Sequence, residues 1–408
     1  MQQSAADPLF SSVTDADVVA RPTAVKPARL LSIDVLRGLT IAFMIVVNDQ
    51  MGPAPFHQLS HAKWNGLTAT DLVFPTFLFL VGLTTVLSTA SRLARNASRR
   101  EMFVHVVRRA LLLILLGFVV NNFPFTHLAN ARYYGVLPRI GLCYFVAASV
   151  LLVSRSWKDK LAIAVVCLLG YWVLMRFVPV PGYGVPTHDV PINDFDGNLT
   201  AWLDRQIFSA RHLYEKTRDP EGLLSTIPAI ATTMFGMLAG MWVRSTATTG
   251  RKAAGLLGAG SLLIVLGAVW NVWFPVNKKL WTSSYTLVAA GISTVLLALA
   301  IQVIDRWRLG RKGNQGAEPS GDHASAYWPV LVLGTNAILA YLISELGATL
   351  LHVFHTGSGR PVGAVIGMAF FRWFSSPAIA SLMYSLAFLL VCWLLTYPFY
   401  RKRIFLRI

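Results

Sequence analysis

The chain has 408 residues, 55% of them hydrophobic and only 13% charged, with a mean hydropathy of +0.55. Soluble domains carry about 25% charge, so this composition excludes a disordered chain and points away from an ordinary cytosolic enzyme. The net charge of +17 is compatible with nucleic-acid binding, but the basic residues fall in short clusters between apolar runs, the distribution of a membrane protein's loops. The partner implied is a lipid bilayer and not nucleic acid.

Residues 1–30 are polar, lack an apolar signal region and predict a disordered cytoplasmic tail. Apolar runs of spanning length follow near 31–50, 69–91, 103–122, 134–154, 159–178, 223–243, 254–274, 282–304, 328–353 and 376–398. They predict an all-α polytopic bundle of about ten transmembrane helices over 31–405, with both termini on one side. Lys and Arg are more than twice as numerous in the tail and even-numbered loops as in the odd-numbered ones, which puts the termini in the cytoplasm. Residues 179–222 are expected to form an external loop and 309–326 a cytoplasmic linker. Cys143, Cys167 and Cys392 each lie inside an apolar run and read as buried thiols.

Ionisable groups at membrane depth are costly and mark function by default. Asp34 and Arg37 share a face of the first span, either as a neutralising pair or as a grip on an anion from the cytoplasm. The stretch after that span concentrates Asn48, His57, His61, Trp64, Asn65, Thr68 and Asp71 between two membrane helices. Among nine histidines, His61 has the surroundings that suit a general base. His105, among arginines, reads as a solvated face. His352 and His355 are three apart but have no carboxylate or cysteine alongside, so no metal is expected. On the same external side lie Asp219 and Glu221, readable as acids at the start of a helix, and a run containing Asn277, Lys278 and Trp281 of the kind that holds sugars or anions. Arg139 and Glu345 sit at membrane depth with opposite charges that invite pairing.

The motifs IDVLRG, HAKWNGLTATDLVFP, GVLPRIGLCYF, DPEGLLSTIPA, PVNKKLWTSSY and GTNAILAYLISEL, in that order, resemble the heparan-α-glucosaminide N-acetyltransferase family in its short bacterial form. The resemblance covers residues 28–405. It implies transfer of an acetyl group from cytoplasmic acetyl-CoA to the amino group of a glucosamine-type sugar on the external, periplasmic side of a bacterial inner membrane. Its catalytic histidine matches His61 and its catalytic asparagine matches Asn48. The segment after Asn48 departs from the glycine-rich sequence that the family often has.

The chemistry is consistent with that resemblance. A base must take the amine proton, and His61 serves. Asn48 and Asn65 offer amide donors for the thioester oxyanion. Phosphates of the coenzyme find Arg37 and the cluster Arg99, Arg100, Arg108 and Arg109. Asp34, Arg37, Trp64, Asn65 and Arg139 are accordingly expected on the coenzyme side. Asp71, Asp219, Glu221, Asn277, Lys278, Trp281 and Glu345 are expected on the acceptor side, and a homodimer is an expected assembly. An amino-sugar transporter or flippase is the alternative, since buried charges also suit a translocation path. A transporter has no need of a histidine–asparagine pair beside a basic mouth of coenzyme size.

Overall fold

A computed structural model describes residues 30–52, 54–307 and 326–406. The tail assigned to 1–30 and the linker assigned to 309–326 lie outside the described residues, apart from positions 30 and 326.

Among the described residues the architecture is all-α, with only isolated bridges in the segments 180–190 and 355–361. The helices are α1 (Leu31–Asn48), α2 (Val73–Leu93), α3 (Arg99–Asn122), α4 (Val136–Val153), α5 (Trp157–Phe177), α6 (Leu199–Phe208) and α7 (Thr226–Arg244). They continue as α8 (Thr249–Trp270), α9 (Ser283–Ala300), α10 (Trp328–Thr335), α11 (Ala337–Val353), α12 (Val362–Trp373) and α13 (Pro377–Arg401). Among the described residues nine helices are long and apolar enough to cross a membrane. The pair α10 and α11 makes a tenth if counted as one crossing. The chain is a multi-pass membrane protein.

Local chemistry sets the helix starts. Ser98 and Glu101 form a reciprocal capping box at α3, and Ser156, Thr248 and Thr282 cap α5, α8 and α9 with their hydroxyls. The sequence reading is corrected at three places. The span expected over 328–353 is bent by 81° between α10 and α11. Asn336 stands at the break and its side chain bonds to Ile404 O and Leu406 N instead of continuing the helix. The loop expected over 354–375 contains α12, apolar but only 12 residues long and so too short to cross. The loop expected over 179–222 contains α6, capped by Asn198.

The centre of the bundle is α2, α7 and α9, with α1 beside them, while α3, α5, α8 and α13 turn apolar faces outward. In lipid, apolar surface gives helices little reason to associate, so close backbone approach takes over. A Cβ on Gly236 of α7 would lie 2.0 Å from the carbonyl oxygen of Phe79, and one on Gly82 of α2 would lie 2.0 Å from that of Thr233. These two glycines let α2 and α7 touch backbone to backbone. Buried hydroxyls add polar contacts between helices, as Thr76 with Ser293 at 2.9 Å and Ser283 with Leu168 O at 2.7 Å. All three cysteines are free.

Gly236→Val is expected to cost about 1–3 kcal/mol or more by overpacking against backbone that cannot move aside. Gly258→Val is the control, because nothing lies within 4 Å of its Cβ position. Thermal melting of the two variants in detergent separates them, with only Gly236→Val lowered.

Candidate active site

The loop between α1 and α2 is built around one carboxylate. Asp71, in the short helical turn Thr70–Leu72 that precedes α2, accepts hydrogen bonds from Ala62 N at 3.1 Å and Thr68 N at 3.0 Å. The Thr68 hydroxyl lies 2.9 Å away. Its other oxygen is 2.8 Å from His61 Nδ1. A carboxylate only accepts, so Nδ1 carries the proton and Nε2 is left with the lone pair of a base. The Asp71 side chain is 1% exposed and that of His61 47%, so the carboxylate is rigid and the imidazole reachable. Sequence reading expected Asp71 on the acceptor side; its contacts instead orient His61.

Behind Asp71 the support continues inward. Tyr285 OH donates to Asp71 O at 2.6 Å. Trp281, fully buried, packs its edge on Tyr285 and Phe74. Arg139 lies over the Trp281 ring, its Cζ 5.1 Å from the centroid, and donates to Gly222 O and Ser225 Oγ. Arg139 and Trp281, both buried, brace the wall behind the histidine; sequence reading expected Arg139 with the coenzyme and Trp281 with the acceptor. The pairing invited between Arg139 and Glu345 does not form: Glu345 accepts from Asn48 Nδ2 at 3.2 Å.

More of the expected residues meet the long segment between α5 and α7 or lie within it. Trp64 stacks on Phe195 with centroids 4.1 Å apart and donates to Asn193 O. Asn65 Oδ1 accepts from Asn193 and from Asn277. Both were expected with the coenzyme; the contacts they make are with the segment 193–195 and with Asn277. Asp219 and Glu221 are both gripped by Arg132, at 2.7 and 2.6 Å. They do not cap α7, whose N-cap, Ser225, makes no capping bond with its side chain and is engaged by Arg139 and Gly222 O instead. Arg132 is the residue that sequence reading passed over, since nothing local links it to acids 87 and 89 positions away.

Lys278 Nζ lies 3.2 Å from His61 Nδ1 and 3.3 Å from Nε2. Lys279 turns the other way, onto Glu215 at 2.7 Å. Asn48 shares no hydrogen bond with His61 among the described residues, so the expected catalytic pair is not joined directly.

On the opposite end of the bundle a cavity of about 420 Å³ opens between α1, α2, α3, α4 and the α10–α11 break. Its polar mouth is Arg37, Arg92, His105 and Arg109, and its walls are apolar, including Met44, Phe77, Ile140 and Tyr341. Arg37 bonds Asp34 at 3.1 Å and Gly334 O at 3.2 Å, so the sequence-adjacent pair forms and also anchors α10. Arg109 lies over Tyr144 and keeps a buried Nε without a partner. Of the arginine cluster expected there, Arg99, Arg100 and Arg108 face outward, and Arg92 supplies the missing cation. His105, read as a solvated face, instead meets Arg92 at 2.8 Å and lines the mouth. Arg37, Ile41, Met44 and Asn48 recur at helical spacing on one face of α1, so this stripe runs from the mouth towards Glu345.

Comparison with known proteins adds the family. The model of the heparan-alpha-glucosaminide N-acetyltransferase catalytic region matches residues 29–274. The chain belongs to that family. Heparan-alpha-glucosaminide N-acetyltransferase of Homo sapiens is 31% identical, the match covering 68% of this chain and 49% of the human protein. The Mus musculus protein of the same name is 30% identical, over 68% and 49% of the two chains. The chain thus spans about half the length of the curated relatives it matches. Within the stretch matched to this acetyltransferase family fall Arg37, Asn48, His61, Asp71, Arg139, Asp219 and Glu221; Lys278, Trp281 and Glu345 lie beyond it.

Asp204 of α6, buried beneath the same wall, accepts from Leu223 N through one oxygen and leaves the other without a partner. Burial, with the nearby charge of Asp219, pushes its carboxyl up to about 7. The folded state therefore holds this proton more tightly than the unfolded chain, and stability falls as pH rises from about 4 towards 7, then levels. Asp204→Asn is expected to flatten that slope, worth on the order of a few kcal/mol. Melting in detergent across this pH range checks it.

Proposed function

We propose that this protein is an integral-membrane N-acetyltransferase that moves an acetyl group from acetyl-CoA, admitted at the basic mouth, to the amino group of a glucosamine-type sugar on the other side. The distribution of Lys and Arg between loops supports a cytoplasmic mouth and an external His61, and the membrane we propose is the inner membrane of a bacterium. The observation that carries the reading is the Asp71–His61 pair at 2.8 Å, in a chain whose family is defined by this chemistry.

The residues at the mouth suit a coenzyme. Arg37, Arg92 and Arg109 present cations to phosphates, the orphaned Nε of Arg109 gives a further donor, and apolar walls beyond suit an uncharged arm. At the external end the sugar nitrogen attacks the thioester carbon. As the carbon–nitrogen bond forms and the carbon–sulfur bond breaks, His61 Nε2 takes the amine proton and returns it to the departing thiolate. Asp71 keeps Nδ1 protonated and stabilises the imidazolium formed in between. Direct transfer is the favoured route, because a histidine so held works as a base without becoming acetylated. Asn48, bonded to Glu345, and Asn65 remain the amides available to the oxyanion. The external segment carrying Asp219, Glu221 and Asn277 shapes the acceptor side.

Purified protein mixed with acetyl-CoA and glucosamine is expected to yield N-acetylglucosamine and free thiol. His61→Ala is expected to lower turnover by about 10²–10⁴-fold while acetyl-CoA still binds. Near-normal turnover in a folded His61→Ala protein contradicts the assignment. Arg37→Ala is expected to raise the KM for acetyl-CoA about tenfold with a smaller change in kcat, the pattern of lost ground-state binding. Unchanged coenzyme binding in that variant moves the phosphate site elsewhere.

A further inference from the structure

The histidine has two charged neighbours that work against each other. Asp71 favours the imidazolium, because its carboxylate touches Nδ1. An imidazolium has no lone pair with which to accept a proton. Lys278 brings a like charge within 3.3 Å of both ring nitrogens, which favours the neutral ring.

The position of Lys278 is fixed by its turn. Asn277 N donates to Thr282 Oγ1, Leu280 N donates to Asn277 Oδ1, and Asn277 Nδ2 reaches Asn65. Gly66 N donates to Val276 O at 2.9 Å, tying the two loops together next to the contact. The other charges near the site are already paired. Lys279 and Arg218 bind Glu215, Arg218 also binds Asp196, and Arg132 binds Asp219 and Glu221. Arg139 is held by Gly222 O and Ser225, and His57 and Lys63 on the histidine's own loop are exposed. Lys278 is therefore the cation set directly against His61.

We propose that Lys278 is a positioning residue for the proton of His61, its ammonium holding the imidazole neutral and competent as a base against the pull of Asp71. The proposal deepens the function above and rests on His61 being the base. Burial lowers Lys278 below the ordinary lysine range, with Glu221 and Asp71 opposing.

The test reads His61 itself. Full-length protein in detergent is treated with diethylpyrocarbonate, which modifies the neutral imidazole, at a series of pH values between about 5 and 8. The His61 peptide is then quantified by mass spectrometry. In Lys278→Met and Lys278→Gln the midpoint of modification is expected to move up by about one pH unit or more, and in Lys278→Arg to stay at the wild-type value. The acid limb of kcat/KM is expected to move with it. An unmoved midpoint in the Met and Gln variants, with wild-type elution on gel filtration, overturns the proposal and leaves Lys278 as an acceptor contact or a packing residue. A moved midpoint in a protein that shows no acetyl transfer leaves the lysine's role standing and removes the proposed function instead.

Discussion

Three N–H groups and a hydroxyl converge on the carboxylate of Asp71, and the histidine half of the site depends on that convergence. A buried carboxylate is tolerated only when its lone pairs are satisfied, so the backbone of 62 and 68 must stay where it is. Held in this way, the loop delivers His61 in one tautomer, with Nδ1 protonated. The hydroxyl of Tyr285 on the Asp71 carbonyl, and the packing of Trp281 and Arg139 behind it, carry the same constraint into α9, α7 and α4. Rigidity at the carboxylate and access at the imidazole are two consequences of one hydrogen-bond arrangement.

The bilayer adds a second demand. Helices that gain little from burying apolar surface against lipid-like neighbours associate through close backbone approach, and α2 and α7 do so at Gly82 and Gly236. That contact holds α2 in the middle of the bundle. One end of α2 bears Asp71's turn, and the other carries Arg92 at the cavity mouth. The two chemical ends of the site are therefore fixed relative to each other by a helix that cannot slide. The break at Asn336 complements it: α10 packs against α1 through Gly334 and Arg37, while α11 leaves at a steep angle and opens space for the cavity wall.

Charge is arranged asymmetrically along this frame. At the mouth, cations face a cavity with few acids to neutralise them, which suits an anionic ligand. Around His61 nearly every charge is matched, Arg132 with two carboxylates and Lys279 with one, and Lys278 is the cation set against the ring.

Hydropathy by itself determined where nine crossing helices lie among the described residues, because a 20-residue apolar run has one stable solution in lipid. The concentration of His61, Trp64, Asn65 and Asp71 in one short loop was equally legible, since its parts are neighbours in the chain. So was the ion pair of Asp34 with Arg37, three residues apart on one helix. What tertiary structure decided is which distant partner each polar group meets. His61 meets Lys278 across 217 positions, Asn48 meets Glu345 across 297, and Arg132 meets Asp219 across 87. No local periodicity encodes those separations; they follow from which helices pack together. The same holds for the bend at Asn336, where helices of eight and seventeen residues read as one continuous run until the side-chain contacts of that asparagine turn the chain.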